Sequence, residues 1–136
     1  MNTNVYEAPK AELLEANSAV APLTLKQILF SFQGRIGRKI FWLTALGMFV
    51  AEMVVFGLLT ALSTGPEVLM FVTAVLYIPL VWVGLAIQVK RWHDRNKSGW
   101  WVLLNFVPLI GAIWVFVEAG CLAGDQNAND YGAPSA

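Results

Sequence analysis

The chain has 136 residues, of which 57% are hydrophobic and 13% charged, about half the charge of an ordinary soluble domain. Nine basic residues balance nine acidic ones, which leaves no net field to capture nucleic acid, and a mean hydropathy of +0.60 requires apolar residues in long runs. One cysteine, Cys121, and one histidine, His93, supply neither an intrachain disulfide nor a zinc site of usual spacing, so no metal or cofactor is expected and lipid is the expected partner.

Residues 1–22 set Glu7, Glu12 and Glu15 among Ala, Asn, Ser and Pro, and they lack the basic start and apolar core of a signal peptide. Such a composition buries too little apolar surface to offset its ordering entropy, so a flexible polar tail is expected. In 24–32, Leu25, Ile28, Leu29 and Phe32 recur at i, i+3, i+4 and i+7, with Thr24 placed as N-cap and Gly34 as terminator. This predicts a short amphipathic helix. It is far too short to span a membrane and is expected to lie in the interface.

Three apolar runs follow, 41–62, 68–89 and 100–123. At 1.5 Å rise per residue each reaches roughly 33 to 36 Å, long enough to cross a bilayer core. Hydrocarbon offers no partner to a free N–H or C=O, so these runs are expected to be helices despite their Val, Ile, Phe and Trp content. The short turn 63–67 makes the first two an antiparallel hairpin. Pro79 and Pro108 each remove a backbone donor, which predicts kinks at 75–79 and 104–108, with Asn105 available to a freed carbonyl. The pairs Gly57/Ala61, Ala119/Ala123 and Gly120/Gly124 allow close helix packing. The expected fold is therefore an all-α membrane protein with three transmembrane helices and one interfacial helix: a tail at 1–22, a membrane domain at 23–124 and a short tail at 125–136.

Every basic residue lies in one of two places. Lys10, Lys26, Arg35, Arg38 and Lys39 precede the first run, and Lys90, Arg91, Arg95 and Lys97 follow the second. Short basic loops stay cytoplasmic, which places the N-terminus and the 90–99 loop inside and, with three crossings, the tail after Gly124 outside. Trp42, Trp92, Trp100 and Trp101 sit at the same inner boundary, where an indole is favoured.

Arg35, Arg38, Lys39 and Trp42 fall at i, i+3, i+4 and i+7 and meet Lys90, Arg91, Arg95 and Lys97 at the same depth. This is read as a basic rim. Each charge is worth about 1 kcal/mol against an anionic leaflet, so anionic headgroups or an acidic partner are the expected ligands. His93 and Asp94 are neighbours, and residues at i and i+1 do not face one another on a helix. Asp94 is expected instead to pair with Arg35, Arg38 or Arg91 and pin the loop, and no catalytic residue is expected. Glu52 stands near the middle of the first run, where an ionisable group is costly and marks a function or a buried partner. Its two readings are a protonated carboxyl bonded to a neighbouring helix and a proton or ion site. Glu118, near the expected outer end, reaches the interface.

The stretches Phe32-Gln33-Gly34-Arg35-Ile36-Gly37-Arg38-Lys39-Ile40-Phe41-Trp42, Lys90-Arg91-Trp92-His93-Asp94-Arg95-Asn96-Lys97-Ser98-Gly99-Trp100-Trp101, Val107-Pro108-Leu109-Ile110-Gly111 and Asn129-Asp130-Tyr131-Gly132 occur in this order. Together they resemble the YhaH/YhaI-like family of small bacterial inner-membrane proteins over residues 25–132. That family has no known function, so the resemblance implies an inner-membrane location and a multispanning fold and implies no reaction; with the charge distribution above, the outer tail is expected to be periplasmic. Its motif positions here are Arg35, Arg38, Arg91, His93, Asp94, Ser98, Gly99 and Trp100. Two residues depart from its pattern: Trp92, where a smaller apolar residue is usual, and Asn96, where Gly is common. The motif reads physically as a structural clasp of His93, Asp94, Ser98, Gly99 and Trp100. In it Ser98 caps the third helix, Gly99 relaxes the turn, Trp100 and Trp101 seat at the interface, and Asp94 meets an arginine from before the first span. The leading expectation is a non-enzymatic membrane protein, oligomeric or partner-bound, whose basic rim contacts anionic lipid or an acidic segment. The alternative is a small proton-coupled transporter or channel using Glu52.

Overall fold

The computed structural model describes residues 22–62 and 65–134, so the expected flexible tail lies, but for Pro22, outside the described residues. Within them the fold is all-helical, with a lone bridge between Asn129 and Gly132 as its one β-type pairing. Helix α1, Leu25–Phe30, opens on a capping box in which the Thr24 hydroxyl accepts from the Gln27 N–H and the Gln27 carboxamide oxygen accepts from the Thr24 N–H. It packs on the second long apolar segment, Pro66–His93, and the Phe32 ring just beyond it meets Trp82 of that segment edge-on with centroids 5.0 Å apart.

Helices α2, Arg38–Ala61, and α3, Pro66–His93, form the expected antiparallel hairpin, and both are long and apolar enough to cross a membrane. Almost none of their apolar surface is covered by protein: Phe49, Met53, Phe56, Phe71, Ile78 and Trp82 are all exposed. Water would not tolerate a patch of this size, and lipid does. Pro79 is carried inside α3 without ending it.

The third run behaves differently from the expectation of one crossing helix over 100–123. It divides into a 3-10 helix, Gly99–Phe106, a turn at 107–109, a short α4, Ile110–Val115, and a single π-helical stretch, Phe116–Cys121. Pro108 has no N–H to continue the first piece, and Leu109 adopts φ +61°, outside helical space for an L-residue. The chain then doubles back so tightly that a Cβ on Gly111 would lie 1.7 Å from the Leu104 carbonyl oxygen. An 8-residue 3-10 helix rises roughly 16 Å, about half a bilayer core, so this piece by itself is too short to cross one.

Two further expectations are corrected by this reversal. The tail from 125 onward was placed at the far end of the bundle, yet the Asp125 N–H donates to the Asp94 carbonyl at 2.7 Å, beside the 90–99 loop. Glu118, expected at the outer end, sits against Lys97 and Arg95 of that same loop. The core lies at this end as well. Ile36, Val83, Ala86, Ile87, Trp92 and Ala119 are its buried apolar residues, and Arg35, Gln88, Lys90, Arg91, Asp94 and Glu118 are buried among them. Gln88 and Asn105 exchange two carboxamide hydrogen bonds at 3.1 and 2.7 Å, tying α3 to the 3-10 helix, so Asn105 serves this pair.

Candidate functional site: the basic end of the bundle

A helix that ends leaves its last carbonyls without donors and carries partial negative charge there. The returning stretch Phe116–Cys121 ends at the basic face, and side chains from other elements take up its carbonyls. Arg91 donates through Nε to Ala119 O at 2.6 Å and through Nη2 to Leu122 O. Trp42 Nε1 donates to Gly120 O at 3.0 Å, Arg38 Nη1 to Cys121 O at 3.0 Å, and Arg95 Nη1 to Ala123 O at 2.7 Å. Three arginines and one indole thus finish a helix whose own backbone cap is a single bond from the Leu122 N–H to Val117 O.

Asp94 is the hub. Its carboxylate accepts from Arg35 Nε at 3.1 Å and from Arg91 Nη1, and all three side chains are almost fully buried. The remaining N–H groups of Arg35 go to Asp94 O at 3.4 Å, Asp125 O at 2.5 Å, Asn127 O at 2.9 Å and Gly132 O at 3.0 Å, so all five guanidinium donors are used. One carboxylate between two guanidiniums leaves a net positive charge. Carbonyl dipoles from the tail neutralise it locally, which is the condition for keeping such a group out of water. Gly124 fits beside Asp94 because it has no side chain; a Cβ there would lie 1.8 Å from Asp94 Oδ2.

His93 stacks flat on Tyr131, with centroids 3.9 Å apart and planes 4° from parallel, and its Nδ1 lies 3.3 Å from Gly34 O. Asn129 donates to the His93 carbonyl at 2.9 Å and to Asp125 Oδ2 at 3.1 Å. The 129–132 stretch is thereby drawn into the same cluster as Arg35 and Asp94. Ser98 Oγ accepts from Trp100 N at 3.4 Å and caps the 3-10 helix, the element now occupying the start of the expected third span. Gly99 has a packing role: a Cβ there would meet Val89 Cγ1 at 2.9 Å. Asn96 adopts φ +53°, a left-handed conformation that favours Gly or Asn, and its carboxamide oxygen accepts from the Asp130 N–H at 3.3 Å.

The expected rim of seven exposed cations is therefore smaller. Arg35, Lys90 and Arg91 are 5%, 0% and 0% exposed, with Lys90 donating to Ser31 O, so none of the three faces a ligand from outside. Their charge is spent on carbonyls and on Asp94. Trp92, expected at the interface, is fully buried, and its Nε1 has no hydrogen-bond partner among the described residues. Trp100, at 76% exposed, and Trp42 and Trp101 remain on the surface. Lys97 Nζ sits over the Trp101 ring at 4.6 Å and ion-pairs with Glu118, which also accepts from Trp114 Nε1. Arg38 and Lys39 are the most open cations of the set.

Residues 29–133 match the family model described as a protein of unknown function, DUF805. The chain belongs to the DUF805 family. The matched range holds Arg35, Asp94 and the tail carbonyls to which Arg35 donates, so the whole clasp lies within the family's domain. This DUF805 chain is 32% identical over 135 residues to the uncharacterized protein YiiR of Escherichia coli K12, covering 81% of this chain and 89% of that one. It is 32% identical over 106 residues to the inner membrane protein YhaH of the same strain, covering 74% and 84%, and 34% identical over 103 residues to the inner membrane protein YhaI, covering 74% and 82%. No solved structure matches the chain. Its apolar helices and these relatives make it a bacterial inner-membrane protein of a family without an assigned function.

Proposed function

We propose that this DUF805 protein is a non-enzymatic integral membrane protein that binds anionic phospholipid at its basic end. One observation carries this reading. A surface groove of about 670 Å³ is lined by Arg38, Lys39, Trp42, Leu43, Leu46 and Gly120, with two cations at its mouth and an apolar wall running down α2. That sequence of chemistries matches a lipid, headgroup first and acyl chain below. The first turn of α2 adds to the argument: Gly37 gives no side-chain cap, and two basic residues stand at the positive end of the helix dipole, an arrangement that an anion relieves. An acidic protein segment would need the apolar wall less.

In the same reading α2 and α3 cross the membrane and the 99–121 segment enters as a re-entrant hairpin, with the basic end and both ends of the described chain cytoplasmic by the positive-inside rule. Irregular backbone at membrane depth is tolerated where protein covers it, and Leu109 at the turn is 80% exposed. A homo-oligomer or a partner helix that covers the 106–110 turn completes the structure. The clasp is the scaffold that holds Arg38 and Lys39 in place.

The test is retention of lipid by the purified protein, read by native mass spectrometry with phosphatidylglycerol against phosphatidylcholine. Two charges at about 1 kcal/mol each predict roughly a 30-fold loss of phosphatidylglycerol binding in Arg38→Gln/Lys39→Gln, at unchanged thermal stability. Equal retention by the variant and the wild type rejects the reading.

A further inference from the structure

Glu52 is the one acidic or basic side chain midway along the α2–α3 hairpin, and it is exposed at the groove between the two helices. It stands 14 residues along from Arg38, roughly 21 Å from the basic end at 1.5 Å per residue, and among the described residues it makes no ion pair or hydrogen bond. It lines a groove of about 470 Å³ between α2 and α3, where its neighbours include Phe56, Thr73, Tyr77, Pro79 and Leu80. Apart from Glu52 and the Thr73 and Tyr77 hydroxyls the lining is apolar, and the groove's volume falls in the range of sites for small organic ligands.

A carboxylate in this apolar setting is stabilised by a counter-charge, and the described residues place none beside it. Residues 40–89 hold no Lys, Arg or His, so a second copy laid alongside in the same orientation brings only its own Glu52. Two aromatic rings, Phe56 and Tyr77, line the same groove as the carboxylate. Aromatic faces beside an acid recognise an organic cation whose charge is shielded by hydrocarbon, because such a cation enters an apolar site at far lower desolvation cost than a metal ion or a primary ammonium.

We infer that the α2–α3 groove is a binding site for lipophilic organic cations, quaternary ammonium or phosphonium in type, with Glu52 as counter-charge and Phe56 and Tyr77 as the aromatic walls. The site is independent of the lipid-binding rim. It lies midway along the hairpin and shares no residue with the Arg38 groove.

The experiment uses the full chain in phosphatidylcholine nanodiscs, with tetraphenylphosphonium as probe and calorimetric titration as readout. The wild type should bind saturably; Glu52→Gln should weaken binding at least tenfold, Glu52→Asp and Tyr77→Phe should retain it, and uncharged triphenylphosphine oxide should not compete. Glu67→Gln, an acid at the mouth of α3 outside the groove, should bind as the wild type does. Absence of saturable binding, equal binding by Glu52→Gln, equal loss in Glu52→Asp, or equal loss in Glu67→Gln each overturns the inference.

Discussion

Arg35 spends every donor it has on one carboxylate and four carbonyls, and this defines what a substitution there removes. Lysine keeps the charge and loses the planar fork, so Arg35→Lys should behave as a loss of structure and not as a conservative change. Asp94→Asn is the sharper test. It leaves two buried guanidiniums without their shared counter-ion, and breaking a buried pair from one side costs about 3–5 kcal/mol. A fall of that size in stability to denaturant, measured in detergent, is expected. By contrast, Arg38→Gln removes one surface donor to Cys121 O and should change stability by less than about 1 kcal/mol. Gly124→Ala should be as damaging as Asp94→Asn, because its Cβ would overlap the Asp94 carboxylate.

At the scale of elements, the deciding piece is the reversal at 107–109. A continuous helix would have been the ordinary solution for an apolar run of this length, and it is lost because Pro108 removes a donor where Leu109 takes a positive φ. The returning arm is kept by contacts that a helix could not have offered: Gly111 against Leu104 O, and the Glu118 carboxylate among Lys97, Arg95 and Trp114. Leu109 is largely exposed, so Leu109→Gly relieves the unfavourable φ at little loss of packing; stability should rise by about 1 kcal/mol in thermal unfolding. Gly111→Ala places a methyl group inside van der Waals contact of a carbonyl and should prevent the arm from closing, seen as new protease cleavage within 99–121.

For the whole molecule, the consequence is where the chain ends lie. Leu23 approaches Gly34, and Pro134 lines a pocket with Arg38 and Asp94, so both ends of the described chain meet at the basic end. Reporters fused before Met1 and after Ala136 should therefore both be active on one side, the cytoplasm. A periplasmic signal after Ala136 would restore a third crossing. Packing is also uneven: the protein-covered core sits at one end, while α2 and α3 leave the rest of their surface to lipid or to other copies. Opening should accordingly begin where the last turn of α2 meets the first turn of α3, with faster amide exchange in those turns and the slowest at 86–94.

The membrane class, the α2–α3 hairpin, the Thr24 cap and the pairing of Asp94 with an arginine from before the first span were all legible in the residues. Each depends on local chemistry, whether run length, a capping pattern or the scarcity of acids near so many cations. The sequence read Arg35, Lys90 and Arg91 as surface charge because a basic residue beside an apolar run usually is one. Only the tertiary structure brings the returning helix end and the 125–132 tail beneath them, and a row of unsatisfied carbonyls then turns those cations inward. Hydrophobicity determined that the third run is helical and apolar; that it turns back on itself was decided by a proline, one strained leucine and the electrostatic capture of a helix C-terminus by side chains distant in sequence.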